Sequence, residues 1–319
     1  MNQGHPGPGW GERFQNAYEA AAAGAAAFPA GREFVAVEGP DALQYLNGQL
    51  SQDLLGMQPG SSVASLLLSP QGKLLSVLRV TMAAEDRFVL DFDSGSSDQV
   101  IERLMRFKLR SKLTVSALNW TAVALRGPTA GELVEGLGTA TMALPVQLWP
   151  EGGFDLAGED VRPPEGATIV PDAVAEALRI EAGVAKMGAE LSEKTIPAEA
   201  GLVEPTVSFT KGCYVGQELV ARIDARGSNV PRRLVWVACA EAIPPRGAEI
   251  VVGDKVVGNV TSSAWSPRAD AGLCLAYLRR EVSPPAPVLL RWEDEHRNGQ
   301  AVGIDPSALA KIRDALQSS

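Results

Sequence analysis

The run Lys211-Gly212-Cys213-Tyr214-Val215-Gly216-Gln217-Glu218 places a cysteine between two glycines, just ahead of the apolar-periodic stretch Leu219-Val220-Ala221-Arg222-Ile223. Glycine permits backbone conformations that a Cβ blocks, so Gly212 and Gly216 are expected to shape a tight turn. The apolar period is expected to start a helix behind it. A helix N-terminus and a nearby cation both favour thiolate over thiol, which gives Cys213, beside Lys211, a route to nucleophilic or metal-ligating chemistry. A free cysteine is also a common small hydrophobe of protein cores, and spacing alone leaves both readings open.

Other chemistries have little to build on. The chain carries two histidines, His5 and His296, too few for a multi-histidine metal site and poorly placed for a Ser-His-Asp triad. No Cys-x-x-Cys pair occurs, so no metal site is expected. Gly7-Pro8-Gly9-Trp10-Gly11 follows no strand, and no Gly-Lys-Ser/Thr loop is present, which removes nucleotide chemistry. Cys213, Cys239 and Cys274 are odd in number and far apart, so a disulfide framework is not implied and a reducing cytoplasm is the expected compartment. A net charge of -9 argues against a general nucleic-acid or membrane-surface binder. No apolar run approaches the ~20 residues that span a bilayer.

The elements that must position the cysteine loop are legible as periods. Arg32 to Glu38, Val63 to Leu68, Leu74 to Met82, Arg87 to Phe92, Leu113 to Leu118 and Thr121 to Leu125 read as strands. Ala42 to Gln52, with Asp41 as cap, and Ser97 to Lys108 read as helices. Hairpins with covering helices point to an α+β domain. The alanine-rich Ala20 to Ala27 is expected to be helical. Asp172 to Ile180 is a further expected helix, and the aperiodic stretch from Glu181 to Phe209 is read as a binding loop. Leu234 to Ala240, Glu249 to Val252, Lys255 to Ser263, Gly272 to Tyr277 and Val288 to Arg291 are short strands between turns, the pattern of a small β-barrel. His296 falls in what reads as an acidic turn, and Ser307 to Leu316 as a closing helix. The expected division is a flexible tail and Ala-rich helix over 1–31, a main domain over 32–230 with a break near 127–171, a barrel over 231–304 and a helix over 305–319.

The octapeptide at 211–218 resembles the signature of the YgfZ family of folate-binding, iron–sulfur-linked proteins, which is related to the aminomethyltransferase (T protein) of the glycine cleavage system. The resemblance extends to Asp41-Ala42-Leu43-Gln44-Tyr45-Leu46-Asn47-Gly48-Gln49-Leu50-Ser51-Gln52-Asp53 and to Ser69-Pro70-Gln71-Gly72-Lys73-Leu74-Leu75. Arg179-Ile180-Glu181-Ala182-Gly183 and Ile196-Pro197-Ala198-Glu199-Ala200-Gly201-Leu202 resemble elements shared with T proteins. It implies a T-protein-like folate-binding domain of antiparallel sheets and covering helices, followed by a small C-terminal β-barrel. It also implies tetrahydrofolate as ligand, with Glu181 as the carboxylate that accepts the pterin's paired N–H donors. On the same resemblance Tyr214, Gln217 and Arg226 are expected near ligand or substrate, and Gly212, Gly216 and Glu218 complete the motif around Cys213 and Lys211. Where T proteins carry paired aspartates, this chain has Ser76-Val77, so glycine-cleavage transferase activity is expected to be absent.

Folates are anionic, so an acidic protein needs a local positive surface to hold them. Lys211, Arg222, Arg226, Arg232 and Arg233 form one basic group; Arg103, Arg106, Lys108, Arg110 and Lys112 form another, which fits a solvated helix edge, a polyglutamate tail or RNA. Three functions stand open: a folate-dependent helper in assembly or repair of iron–sulfur clusters in client enzymes, including tRNA-modifying ones; a non-catalytic folate-binding scaffold; and a one-carbon transferase. Membrane partners are not expected, and direct nucleic-acid binding is disfavoured.

Overall fold

The computed structural model describes residues 11–138, 141–225, 227, 229–240, 242–305, 309, 311, 312 and 316. Residues 1–10 of the expected tail, His5 among them, Arg226 and much of the expected closing helix lie outside the described residues.

Helix α1 (Glu12–Ala23) buries Phe14, Tyr18 and Ala21, a stripe at helical spacing. It stops at Gly24, and Ala26–Pro29 is strand β1. The expected helix over Ala20 to Ala27 is therefore half right: alanine's propensity loses to tertiary pairing, because Ala26 and Ala27 sit fully buried between strands on either side. The chain then runs through β2 (Arg32–Glu38), α2 (Ala42–Gln49), β3 (Ser62–Leu68), β4 (Leu74–Ala84), β5 (Arg87–Asp93), α3 (Ser97–Phe107) and β6 (Thr114–Leu118). These strands form an antiparallel sheet in the order β3-β4-β5-β2-β6. Asp41 does not cap α2 with its side chain; its carboxylate accepts the Lys112 N–H at 2.6 Å and ties β6 to the helix start.

One face of this sheet packs Val35, Val37, Leu78, Val80, Phe88, Leu90 and Phe92 against Leu46 and Leu50 near α2 and against Leu104 of α3. The other face carries Phe34 and Val89 against Leu144 and Ala157 of a second sheet. That sheet is built from β7 (Thr121–Arg126), β8 (Met142–Pro145), β9 (Phe154–Gly158), β10 (Thr168–Ile169) and the early strand β1, in the order β10-β1-β7-β9-β8; helix α4 (Ala130–Val134) lies between β7 and β8 in the chain. The chain changes sheet between Leu118 and Thr121, ahead of the 127–171 stretch expected to hold the break.

Helix α5 (Asp172–Glu181) joins the second sheet to a barrel. After a short 3-10 turn at Pro197–Ala200 come α6 (Val203–Thr206) and α7 (Gln217–Asp224). Strands β11 (Arg232–Cys239), β12 (Glu249–Val252), β13 (Lys255–Ser266), β14 (Ala271–Arg279), β15 (Ala286–Trp292) and β16 (Glu295–Val302) close in the order β11-β14-β13-β12-β15-β16. Five of these six were expected. β16 was not, because it is polar along most of its length and buries only Gly299, Gln300 and Ala301; His296 lies on it, paired with Arg291, and not in a turn. The Trp236 indole N–H donates to the Ile180 carbonyl at 2.7 Å, locking α5 onto the barrel. Among the described residues no helix is long and apolar enough to cross a membrane.

Candidate functional site

The cysteine loop is held at three points. The Lys211 ammonium donates to the carbonyls of Asn47, Leu50 and Gln52 at 2.6, 2.8 and 2.8 Å. These carbonyls lie at the C-terminal end of α2, where a cation is favoured by the exposed carbonyls and the helix dipole. Burial pulls Lys211 down to about 8, opposed by Asp53, and the carbonyl oxygens around the ammonium favour its charged form. Val215 N–H reaches Gly48 O at 3.3 Å, and the Gln217 side-chain oxygen accepts the Tyr214 N–H at 3.1 Å.

Gly216 begins α7 at φ 87°, and a Cβ there would stand 2.5 Å from the Ser69 carbonyl. Only glycine fits this contact between the loop and the β3–β4 turn. Gly212 differs: it has no positive φ, and a Cβ there would meet open space, so the sequence-based expectation for it is overturned. Cys213 itself is free and exposed.

Two further expectations change. Lys211 spends its three N–H donors on carbonyls, so its evident work is to anchor the loop, whereas the sequence suggested that it holds the thiol ionised. Tyr214 is buried with Leu66, Leu68, Leu74, Val77 and Val220, in the core behind the loop, and does not line the main cavity. Glu218 is exposed at the first turn of α7, and Arg226 lies outside the described residues.

The main cavity of the two-sheet region, about 430 Å³, opens between the sheets and α5. Val77, Leu78, Phe28 and Trp149 supply apolar and aromatic wall. Its floor is a chain of buried ions fixed by strand register. Arg79 on β4 stands opposite Asp91 on β5. Arg79 binds both oxygens of Asp91 at 2.8 and 2.9 Å and reaches Asp155 at 2.9 Å. Arg126 takes the other oxygen of Asp155 at 2.7 Å, while Arg32 bridges Asp91 and Asp93, each at 2.8 Å. Burial alone would push the Asp155 carboxyl up; Arg126 and Arg79 outweigh it and hold the group below the usual carboxylate range. The Arg126 guanidinium also lies over the rings of Trp149 and Phe28, 4.9 and 5.9 Å from their centroids.

Sequence periodicity missed this network. The available signal was a set of charged residues at inward positions of otherwise apolar strands: Arg79, Asp91, Arg126 and Asp155. Ser76-Val77, where the T-protein aspartates are expected, falls here too, with Val77 on the cavity wall and Ser76 buried.

Glu181 sits elsewhere. It lines a smaller cavity of about 130 Å³ with Tyr18, Trp149 and Arg268, and does not line the larger one. Its Oε2 accepts the Tyr18 hydroxyl at 2.6 Å and its Oε1 the Ser266 hydroxyl, so both oxygens are engaged by α1 and β13. Burial pushes its carboxyl up, against the hydrogen bonds from Ser266 and Tyr18. The expected pterin carboxylate thus clamps α5 to its neighbours. On the main cavity the acids a ligand can reach are Glu176, 39% exposed and gripped by Arg179 at 2.7 and 2.9 Å, and the exposed Asp172. Of the second basic group, Arg103 is buried, stacked 4.0 Å over Phe107 and bonded to Gln49; none of that group lines the cavity. No group of three or more His, Cys, Asp or Glu is placed to hold a metal ion among the described residues.

Comparison with known proteins agrees with this architecture. The family model of the GCVT N-terminal domain matches residues 31–149, and that of the glycine cleavage T-protein C-terminal barrel domain matches 232–306. The tRNA-modifying protein YgfZ of Edwardsiella ictaluri is 29% identical over 291 residues, covering 82% of this chain and 86% of the relative. A mitochondrial iron-sulfur cluster assembly factor IBA57 homolog of Chaetomium globosum is 27% identical over 287 residues, covering 72% of this chain and 61% of the relative. The crystal structure of glycine cleavage system aminomethyltransferase T from Bartonella henselae shares the fold, with a TM-score of 0.80 at 21% identity over 94% of this chain and 90% of the other. The chain belongs to the YgfZ family, related to the aminomethyltransferase of the glycine cleavage system.

Proposed function

We propose that this chain binds a tetrahydrofolate in the 430 Å³ cavity and assists assembly or repair of iron–sulfur clusters in client enzymes, with Cys213 as the working thiol. The observation that carries the reading is the presentation of Cys213: exposed, on a loop whose neighbours Lys211, Gly216 and Gln217 all serve to fix its backbone. A fixed, accessible thiol suits a transient bond to a cluster or sulfur species held by another protein. The names of the relatives support the iron–sulfur and tRNA-modification context.

The cavity suits a folate by size and lining. Its volume lies within the ~300–1,000 Å³ of small-molecule sites. Trp149 and Phe28 offer aromatic surface for a ring. Bound there, a tetrahydrofolate supplies a one-carbon carrier. The acids of the floor, Asp93 and Asp155, have both oxygens committed, to arginines or to the Met187 N–H. That favours, as a second reading, a folate that is sensed or structural over one that reacts.

Calorimetric titration of tetrahydrofolate tests the pocket. The wild type and Glu181→Gln should bind in the micromolar range, while Val77→Phe, which fills the wall, should not. Client-enzyme activity in cells tests the thiol: loss in Cys213→Ser supports the working-thiol reading. Full activity in that variant, with loss in Val77→Phe, would leave the folate-binding scaffold.

A further inference from the structure

The cavity has a floor and a rim of opposite character. Arg79, Asp155 and Arg126 on the floor are buried and mutually paired, whereas Lys186 and Asp172 on the rim are exposed. Arg32, Arg79, Arg126 and Arg179 each have a carboxylate partner; Lys186 stands at the rim with no side-chain ion pair among the described residues. Its root is unusually well fixed. The Lys186 N–H donates to Glu190 at 3.1 Å, and its carbonyl accepts the N–H groups of Ala189, Glu190 and Leu191. Three buried or half-buried charges fasten the same turn: Asp93 accepts the Met187 N–H at 2.9 Å, Arg179 donates to the Val184 carbonyl, and Glu190 binds both Arg179 and Ser262.

The geometry points to Lys186 as the residue that reads the anionic tail of the cavity's ligand. Resting on the folate reading, the ligand class is a tetrahydrofolate with a poly-γ-glutamyl tail, its ring against Phe28 and Trp149 on the wall and its tail leaving past Lys186. A ligand whose ring enters the dry end of the cavity must leave its carboxylates at the wet end, because buried charges without partners are costly. At that end one anchored cation faces the incoming carboxylates, with Asp172 and the Arg179-paired Glu176 as opposing charges. The basic stretch from Arg103 to Lys112, which the sequence offered for a polyglutamate tail, does not line this cavity.

The test is calorimetric titration of the full chain with tetrahydrofolate monoglutamate and pentaglutamate at low salt. A partly exposed ion pair predicts that the wild type prefers the pentaglutamate by about threefold to fivefold, a preference that fades at about 0.5 M salt. Lys186→Gln should abolish the preference by weakening pentaglutamate binding more than monoglutamate binding, Lys186→Glu should reverse it, and Asp172→Asn should enlarge it. An unchanged preference in Lys186→Gln overturns the assignment and leaves the folate reading standing. So does a preference that moves with Arg106→Gln or Lys108→Gln instead. Absence of binding by either ligand to the wild type overturns the folate reading itself, and this inference with it.

Discussion

Replacing Lys211 with Met separates two accounts of the cysteine loop. The methionine keeps the apolar stem that packs near Tyr214 but removes the ammonium, and with it three hydrogen bonds at 2.6, 2.8 and 2.8 Å. A charged hydrogen bond contributes roughly 1.5–3 kcal/mol net. Three at the lower figure give about 4.5 kcal/mol, and rehydration of carbonyls at a half-buried helix end recovers part of that, leaving a loss of about 2–3 kcal/mol. In a chain of this size that corresponds to a fall in Tm of about 4–6 °C. The second readout is the rate at which iodoacetamide alkylates Cys213 at a fixed pH near 7.5, compared with the wild type. Cys239 and Cys274 are buried and should stay silent in the folded protein. An anchoring lysine predicts a faster rate, because the freed loop frays and exposes the thiol further. A lysine that stabilises the thiolate predicts a slower rate with little change in Tm. An unchanged Tm together with slower alkylation would therefore refute the anchoring argument and restore the role that the sequence first suggested.

Three further outcomes follow from the geometry. Glu181→Gln should leave Tm at neutral pH unchanged or slightly higher. The folded carboxyl lies above its unfolded value, so its contribution to stability is greatest below the unfolded pKa, near 4.3, and declines as pH rises through the folded one; the glutamine variant should lack that decline in a Tm-against-pH series. Asp155→Asn leaves Arg126 without its carboxylate and Arg79 with Asp91 alone, and should cost about 3–5 kcal/mol in urea unfolding. In the wild type the Asp155 contribution is present above the ordinary carboxylate range and is lost as pH falls through its lowered pKa, so the variant should show a shallower acid transition. Gly216→Ala should destabilise by about 2–4 kcal/mol or fail to fold, given a positive φ and a 2.5 Å clash with backbone, whereas Gly212→Ala should be within about 0.5 kcal/mol of wild type.

Short apolar strands bounded by turn residues and helices with clear periods were legible in the chain, as β2 over Arg32–Glu38 and β12 over Glu249–Val252 illustrate. What escaped was whatever depends on partners distant in sequence. Ala26 and Ala27 look helical until the strands flanking them are known, and β16 carries too little apolar pattern to announce itself. The cysteine motif was visible because two glycines and a lysine bracket the thiol ahead of an apolar period, yet the lysine's task was not, since its acceptors lie at and just past a helix end more than a hundred and fifty positions upstream. Glu181 shows the same limit: a resemblance to T proteins marked it, but only the hydroxyls of Tyr18 and Ser266 reveal that its oxygens are already engaged. The cavity floor was invisible because its ions are brought together by register across two sheets.

Strand β1 leaves the ribosome before any part of the first sheet, yet its neighbours β7 and β10 appear only after that sheet has been translated in full. The nascent chain must therefore hold a short alanine-rich segment unpaired while the 32–118 unit folds behind it, and must then recover it. Cutting the polypeptide between the two sheets yields no self-sufficient halves, since the second would lack the strand that joins β10 to β7. The same threading means that the site's two walls, one from each sheet, reach their final spacing only when the earliest strand has been recaptured, so ligand binding should report late events in synthesis.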